Sequence, residues 1–232
     1  MATIGLSDYE AIEKSNLLPR YRYTSEGERL DNITDWGLKQ FQTRYGKEAA
    51  ISKDDIFAYC YGVLHDPVYR ETYALNLKRE FPRLPFYDDF TQWRDWGQTL
   101  LDLHIGYETA EPFPLERSDT PDTKARAAGL TPLPKLKSDH DTGVITLDSE
   151  TRLSGVPAEA WTYRLGNRSA IDWVLDQYKE KTPKDKTIRE KFNTYRFADY
   201  KDQVIDLLRR VTTVSVRTVA ITEAMRALKR QA

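Results

Sequence analysis

The sequence holds one cysteine, Cys60, in 232 residues. No disulfide can close within it, and a reducing cytoplasm is the expected setting. No apolar run approaches the roughly 18 residues that a membrane helix needs, so no membrane partner is expected. The opening MATIGLSDYE lacks a basic stretch followed by an apolar core, and no secretory leader is read there. There is no Gly-rich phosphate loop, no G-x-S-x-G elbow and no H-E-x-x-H pair. No cofactor is expected, and the chain is not expected to be a complete enzyme. Strong net charge is also missing, at −1 overall, so total charge says nothing for or against a polyanionic partner.

The charge that is present is unevenly spread. Residues 1–123 carry 14 Lys+Arg against 22 Asp+Glu, whereas residues 124–232 carry 21 against 14. Aromatics are abundant, with 14 Tyr, 5 Trp and 8 Phe, in a composition otherwise ordinary for a globular domain.

Helix signals dominate the first half. A short helix is read in LSDYEAIEKS, and LPRYRYT reads as extended. Thr34 is placed to cap a helix carrying Trp36, Leu38, Phe41 and Tyr45, which Gly46 ends. Ser52 is the next N-cap, with Asp54 and Asp55 suiting the positive end of the dipole and Ile51 and Ile56 spaced as a hydrophobic staple. Asp66-Pro67 stops that helix and starts another, read as running to Pro82. FPRLPF is an extended link. A further amphipathic helix presents Phe90, Trp93, Trp96, Leu100, Leu103 and His104.

Residues 108–142 hold five prolines and few large apolar side chains, which reads as a loop or linker. GVITLD and TRLSG read as two short strands around Asp148-Ser149-Glu150. A helix follows on Ile171, Trp173, Val174, Leu175 and Tyr178. TPKDKTIREKFNTYRF reads as basic and irregular. FADYKDQVIDLLRRV is a helix, and TTVSVRTVAITEAMRALKR is either its continuation or a second helix capped by Ser215. The expected fold class is α+β, mainly α-helical with a small β element in the C-terminal half. The expected organisation is a helical part over 1–108, a linker over 109–142 and a basic part over 143–232, or one continuous domain.

AYCYGVLHDPVYR (58–70) gathers a cysteine, a histidine, an aspartate and three tyrosines. On a helix Cys60 falls on the stripe of Ile56, Phe57, Val63 and Leu64, the place of a small buried hydrophobe. His65 lies about 140° round the helix from Cys60, so the two do not make a nucleophile and base. An imidazole at that helix end can instead bond its last carbonyls. His140 sits between acids in SDHDTG, but adjacent residues rarely converge on one metal ion.

Two stretches interleave aromatics with cations: RYRYT (20–24), and the run from Arg164 through Asn167 and Arg168 to KDKTIREKFNTYRF. Such residues can neutralise phosphates, read purine edges or pack on bases. The same composition suits a solvated surface with snorkelling lysines.

NITDWGLKQFQTRYG followed by ISKDDIFAYCYGVLHDPVYRETYALNLKREFPRLPF, and later WTYRLGNRSAIDWVLDQY and VIDLLRRVTTVSVRTVAI, resemble the C-terminal specificity region of type ISP restriction–modification enzymes over about residues 17–221. The resemblance implies a target-recognition domain that binds double-stranded DNA and works with methyltransferase and motor modules. No N-P-P-Y motif, S-adenosylmethionine loop or ATPase motif is present. The expected backbone contacts are Lys184, Lys186, Arg189 and Lys191, with Arg164, Asn167, Arg168 or Arg196 near base edges. Two other readings stay open at this level: a protein-interaction module docking a methyltransferase or helicase subunit, and an inactive fragment of an adenine-N6 methyltransferase/endonuclease.

Overall fold

The computed structural model describes residues 18–46, 50–181, 184–187, 191 and 195–228. It divides into two compact units, Met1–Ile105 with Ala220–Ala232, and Gly106–Val219. The short helix expected in LSDYEAIEKS lies outside the described residues.

The first unit opens with a hairpin of β1 (Tyr21–Tyr23) and β2 (Arg29–Asp31). Helices α1 (Asp35–Tyr45), α2 (Lys53–His65), α3 (Pro67–Thr72), α4 (Ala74–Leu77) and α5 (Phe90–Ile105) follow. The caps are those expected. Thr34 Oγ1 accepts from the Gly37 N–H at 3.1 Å. Ser52 and Asp55 form a reciprocal capping box. Asp66 both ends α2 and caps α3, accepting from the Val68 N–H at 3.0 Å. The helix read as continuing to Pro82 is interrupted at Tyr73 and ends at Leu77. Lys78, Arg79, Glu80 and Phe81 are all exposed, so no buried face holds a helix beyond Leu77.

Helix α2 packs on α5 around Ile56, Tyr59, Val63, Phe90, Trp93 and Leu100. The backbones come close at Gly62 and Gly97: a Cβ on Gly97 would sit 1.8 Å from the Ala58 carbonyl oxygen. The tyrosines of 58–70 are scaffold. Tyr59 donates to the Pro85 carbonyl at 2.7 Å and Tyr69 to the Arg83 carbonyl at 3.0 Å. Tyr45 donates to the Tyr87 carbonyl at 2.5 Å, and the Tyr87 hydroxyl donates to the buried Asp66 at 2.6 Å. The proline-rich link cannot form a regular ladder, so buried rings turn their hydroxyls to its carbonyls. Cys60 packs against the same core, and burial pushes its thiol up to about 12, far from thiolate reactivity. His65 Nδ1 lies 2.8 Å from the Tyr61 carbonyl, one turn back on α2.

The second unit contains an antiparallel sheet in the order β3 (Glu116–Asp119), β6 (Thr151–Ser154), β5 (Val144–Asp148), β4 (Pro134–Asp139). Here the linker expected over 109–142 differs from the structure: both edge strands and the short helix α6 (Thr123–Ala127) lie in it. Edge strand β3 is polar and exposed throughout, so it carries no apolar alternation and takes its strand form from pairing with β6. Strand β4 breaks register between Pro134 and Lys137, with Leu136 at φ 43°. That bulge turns Leu136 into the core despite the unfavourable backbone.

The inner sheet face, with Leu136, Ile145, Leu147 and Leu153, packs into one core with Trp161, Ile171, Leu175, Val204, Ile205 and Leu208. The last three belong to α8 (Phe197–Ala227), an unbroken 31-residue helix. Ser215 starts no new helix, since its hydroxyl donates to the Val211 carbonyl at 2.7 Å within α8. Up to Val219 this helix belongs to the second unit and from Ala220 to the first. Ile221 and Met225 accordingly pack with the N-terminal helices, which a division at residues 108 and 143 does not contain.

Ionic contacts lock the strand ends. Asp148, 3% exposed, accepts from the N–H groups of Glu150 and Thr151 at 2.8 and 2.7 Å and pairs with Lys201 Nζ at 2.7 Å. Glu150 pairs with Arg126 at 2.5 Å and accepts from the Asp122 N–H at 2.8 Å. Among the described residues no three His, Cys, Asp or Glu side chains are grouped to hold a metal, and no helix is long and apolar enough to cross a membrane.

Candidate nucleic-acid interface

Three of the residues singled out in the sequence come together on one hairpin. Strands β7 (Arg164–Leu165) and β8 (Arg168–Ser169) pair antiparallel through the two-residue turn Gly166-Asn167. Gly166, with φ 65°, fills the first central position, where tight hairpin turns need positive φ. Ser169 is also the N-cap of α7 (Ala170–Gln177), accepting from the Asp172 N–H at 3.1 Å. The hairpin therefore runs straight into a helix whose Ile171 and Leu175 are buried in the core. Its other strand is tied down by Trp173, whose indole N–H donates to the Leu165 carbonyl at 2.7 Å.

Arg164, Gly166, Asn167 and Arg168 are all exposed, but their side chains are not equally free. The Arg164 guanidinium donates to the Asn167 carbonyl across the turn. Arg168 pairs with Asp176 at 2.8 Å and lies over the Trp173 ring at 5.5 Å. Both arginines thus brace the hairpin while facing solvent. The Asn167 side-chain amide stands at the tip with no partner among the described residues.

Lys184, Lys186 and Lys191 are exposed beyond α7, while Arg189 lies outside the described residues. Arg196 donates to the Tyr195 carbonyl at 2.7 Å, and the Tyr195 ring stacks on Tyr200 at 5.4 Å. In the earlier stretch RYRYT, Arg20 and Tyr21 are engaged within the protein, while Arg22 and Tyr23 are exposed. Arg20 pairs with Asp31 and Asp54, each at 2.6 Å, and Tyr21 is packed by the guanidinium groups of Arg20 and Arg29, each 4.4 Å from its centroid.

His140 lies 3.1 Å from Asp172 and stacks on Trp161 at 4.3 Å. Burial pushes the Asp172 carboxyl up, but hydrogen bonds from Ser138, Ser169 and His140 outweigh it and hold the pKa below the usual carboxylate range. Asp172 thus gathers the β4 end, the turn after it and the α7 start into one charged network.

Sequence reading did not single out the outer sheet face, which carries Lys137 and Arg152. They are separated along the chain, and only the strand register brings them into one row.

The sequence profile of the type ISP C-terminal specificity domain matches residues 1–207. The chain belongs to that family. It is the family that the motifs beginning at NITDWG resemble. Among solved structures, a DrdV–DNA complex determined by cryo-EM shares 55% identity and a TM-score of 0.90, over 98% of this chain and 23% of that one. A nuclease-deletion mutant of the type ISP restriction–modification enzyme LlaGI, in complex with a DNA substrate mimic, shares 29% identity and a TM-score of 0.65, over 93% of this chain and 18% of that one. The ATP-dependent type ISP enzyme LlaBIII bound to DNA is 23% identical with a TM-score of 0.68, over 91% of this chain and 13% of that one, a likeness of fold. The chain spans less than a quarter of the length of these proteins. No match was found among curated proteins.

Proposed function

We propose that this specificity domain recognises a particular double-stranded DNA sequence in the cytoplasm, for the methyltransferase and motor modules of a type ISP restriction–modification system, and that its own part is recognition and not catalysis. One observation carries the reading: the chain matches, over 98% of its length and at 55% identity, part of a protein solved with DNA.

Within that reading the β7–β8 hairpin is the base-reading element. A two-stranded ribbon fits the major groove, and asparagine can pair with both hydrogen-bonding edges of adenine there. Asn167 is the reader at the tip. Arg164 and Arg168 support the turn and reach base edges or phosphates beside it. Arg196 is the further candidate near base edges, and Lys184, Lys186, Arg189 and Lys191 supply backbone contacts that set affinity and salt dependence.

The test is selection of the purified chain on a random duplex library, with sequencing of what binds. Enrichment of a motif of several base pairs is expected, with affinity falling steeply as salt rises. Binding without an enriched motif would sink the claim of autonomous recognition, and absence of duplex binding would sink the DNA reading for this chain.

A further inference from the structure

The strand register places four side chains in one line across the outer face of the sheet. Ser118 on β3 is paired with Arg152 on β6, Arg152 with Thr146 on β5, and Thr146 with Lys137 on β4. Directly paired residues share a face. Ile145, Leu153 and Leu136 point the other way, into the core. Ser118, Arg152 and Lys137 are exposed and Thr146 is half-buried. The row reads hydroxyl, guanidinium, hydroxyl, ammonium.

Most arginines of this unit have partners. Arg117 binds Asp119 and Asp202, Arg126 binds Glu150, Arg168 binds Asp176, and Arg210 binds Asp206. The side chains of Arg152 and Lys137 have no ion pair or hydrogen bond among the described residues, nor do those of Ser118 and Thr146. Two acids share this face. Asp139 is turned aside, accepting from the N–H groups of Asp141 and Thr142 at 3.1 and 3.2 Å, and Glu116 lies at the start of the edge strand. Strands lie about 4.8 Å apart, so Arg152 and Lys137, two strands from each other, are about 10 Å apart with a hydroxyl between them. An unneutralised cation row interleaved with hydroxyl donors, on a rigid sheet, has the chemistry that holds a phosphate backbone.

We propose that Lys137, Thr146, Arg152 and Ser118 form a second contact surface for the phosphate backbone of duplex DNA. This rests on the DNA reading above and adds a positioning surface separate from the base-reading hairpin. It carries no sequence information: it sets register and affinity, while Asn167 and its neighbours discriminate.

The experiment uses the full chain carrying Lys137→Ala with Arg152→Ala, and a second variant carrying Lys137→Arg with Arg152→Lys. Binding is followed against salt on the duplex enriched from the library and on a random-sequence duplex. Each phosphate contact contributes about 0.9 to the slope of log affinity against log salt. The alanine pair is expected to flatten that slope by about 1.8 and to weaken both duplexes by the same factor. The charge-preserving pair is expected to keep wild-type slope and affinity. An unchanged slope and affinity in the alanine pair, with wild type binding DNA normally, overturns the surface and leaves the DNA reading standing. Loss on the enriched duplex alone would make the row a base reader and overturn the phosphate assignment. Failure of the wild type to bind either duplex overturns both. A thermal midpoint matching wild type checks that the exposed substitutions leave the fold intact.

Discussion

Gly62 and Gly97 are the point at which α2 and α5 meet backbone to backbone. A Cβ on Gly62 would lie 2.5 Å from the Trp93 carbonyl oxygen, and one on Gly97 would lie 2.8 Å from the Gly62 nitrogen. The obstructing atoms are main chain on both sides, so no rotamer change can relieve them. The single substitution Gly97→Ala should force the helices apart and cost about 3 kcal/mol, the upper end for overpacking a core. Chemical denaturation of the purified variant measures this. Stability equal to wild type would mean the helices do not approach this closely.

The Asp148–Lys201 pair joins the β5–β6 turn to the start of α8. Burial pushes the Asp148 carboxyl up, but the Lys201 hydrogen bond and the N–H groups of Glu150 and Thr151 outweigh it and lower the pKa. Lys201→Met should destabilise the fold by about 3 kcal/mol, because it strands a buried carboxylate. The lowered carboxylate pKa stabilises the fold at pH values above the ordinary range for aspartate, and that contribution disappears as pH falls through the lowered pKa. The Lys201→Met variant should therefore lose less stability than wild type on acidification. Thermal midpoints of the two proteins between neutral and strongly acidic pH compare them, and parallel curves would refute the linkage.

His65 and His104 face each other at 5.3 Å between ring centroids, and the Tyr61 hydroxyl lies 2.7 Å from Nδ1 of His104. Burial lowers His65 to about 4, and burial with the nearby His65 lowers His104 to about 3. Both are neutral in the fold at neutral pH, whereas an unfolded histidine takes up its proton near pH 6.5. Between about pH 6.5 and 4 only the unfolded chain gains those protons, so stability should fall as pH is lowered. His104→Phe should flatten the stability profile in that window. Urea unfolding at several pH values tests this, and identical pH dependence in both proteins would refute it.

The hairpin depends on Trp173, which holds the Leu165 carbonyl by its indole N–H and lies under Arg168. Trp173→Ala should leave the salt dependence of DNA binding near wild type while reducing discrimination between the enriched and random duplexes. Asn167→Ala should reduce that discrimination by about 1–3 kcal/mol, the worth of a good bidentate base contact, with little change in stability at its exposed tip. Competition binding with the two duplexes reads both effects. Undiminished discrimination in Asn167→Ala would remove Asn167 from the reading role.

Local signals were legible because their energetics are local. Thr34, Ser52 and Asp66 cap helices through partners two or three residues away, and the stripe through Ile56 and Val63 announces its buried face by spacing alone. The same spacing marked Cys60 as packing and the 58–70 cluster as scaffold. Of the candidate interface, Arg164, Asn167 and Arg168 could be named from the clustering of basic and aromatic residues. Their joining on a Gly166 turn, with the Asn167 side-chain amide left without a partner among the described residues, needed the fold. The tertiary structure alone decided that polar ERSD and PKLKSD become edge strands, that Gly62 meets Gly97, and that Lys137 aligns with Arg152 across two strands. It also decided that the end of α8 belongs with the N-terminal helices. These are pairings between residues distant in sequence, stabilised by burial and register against a partner, so no window of the chain carries them.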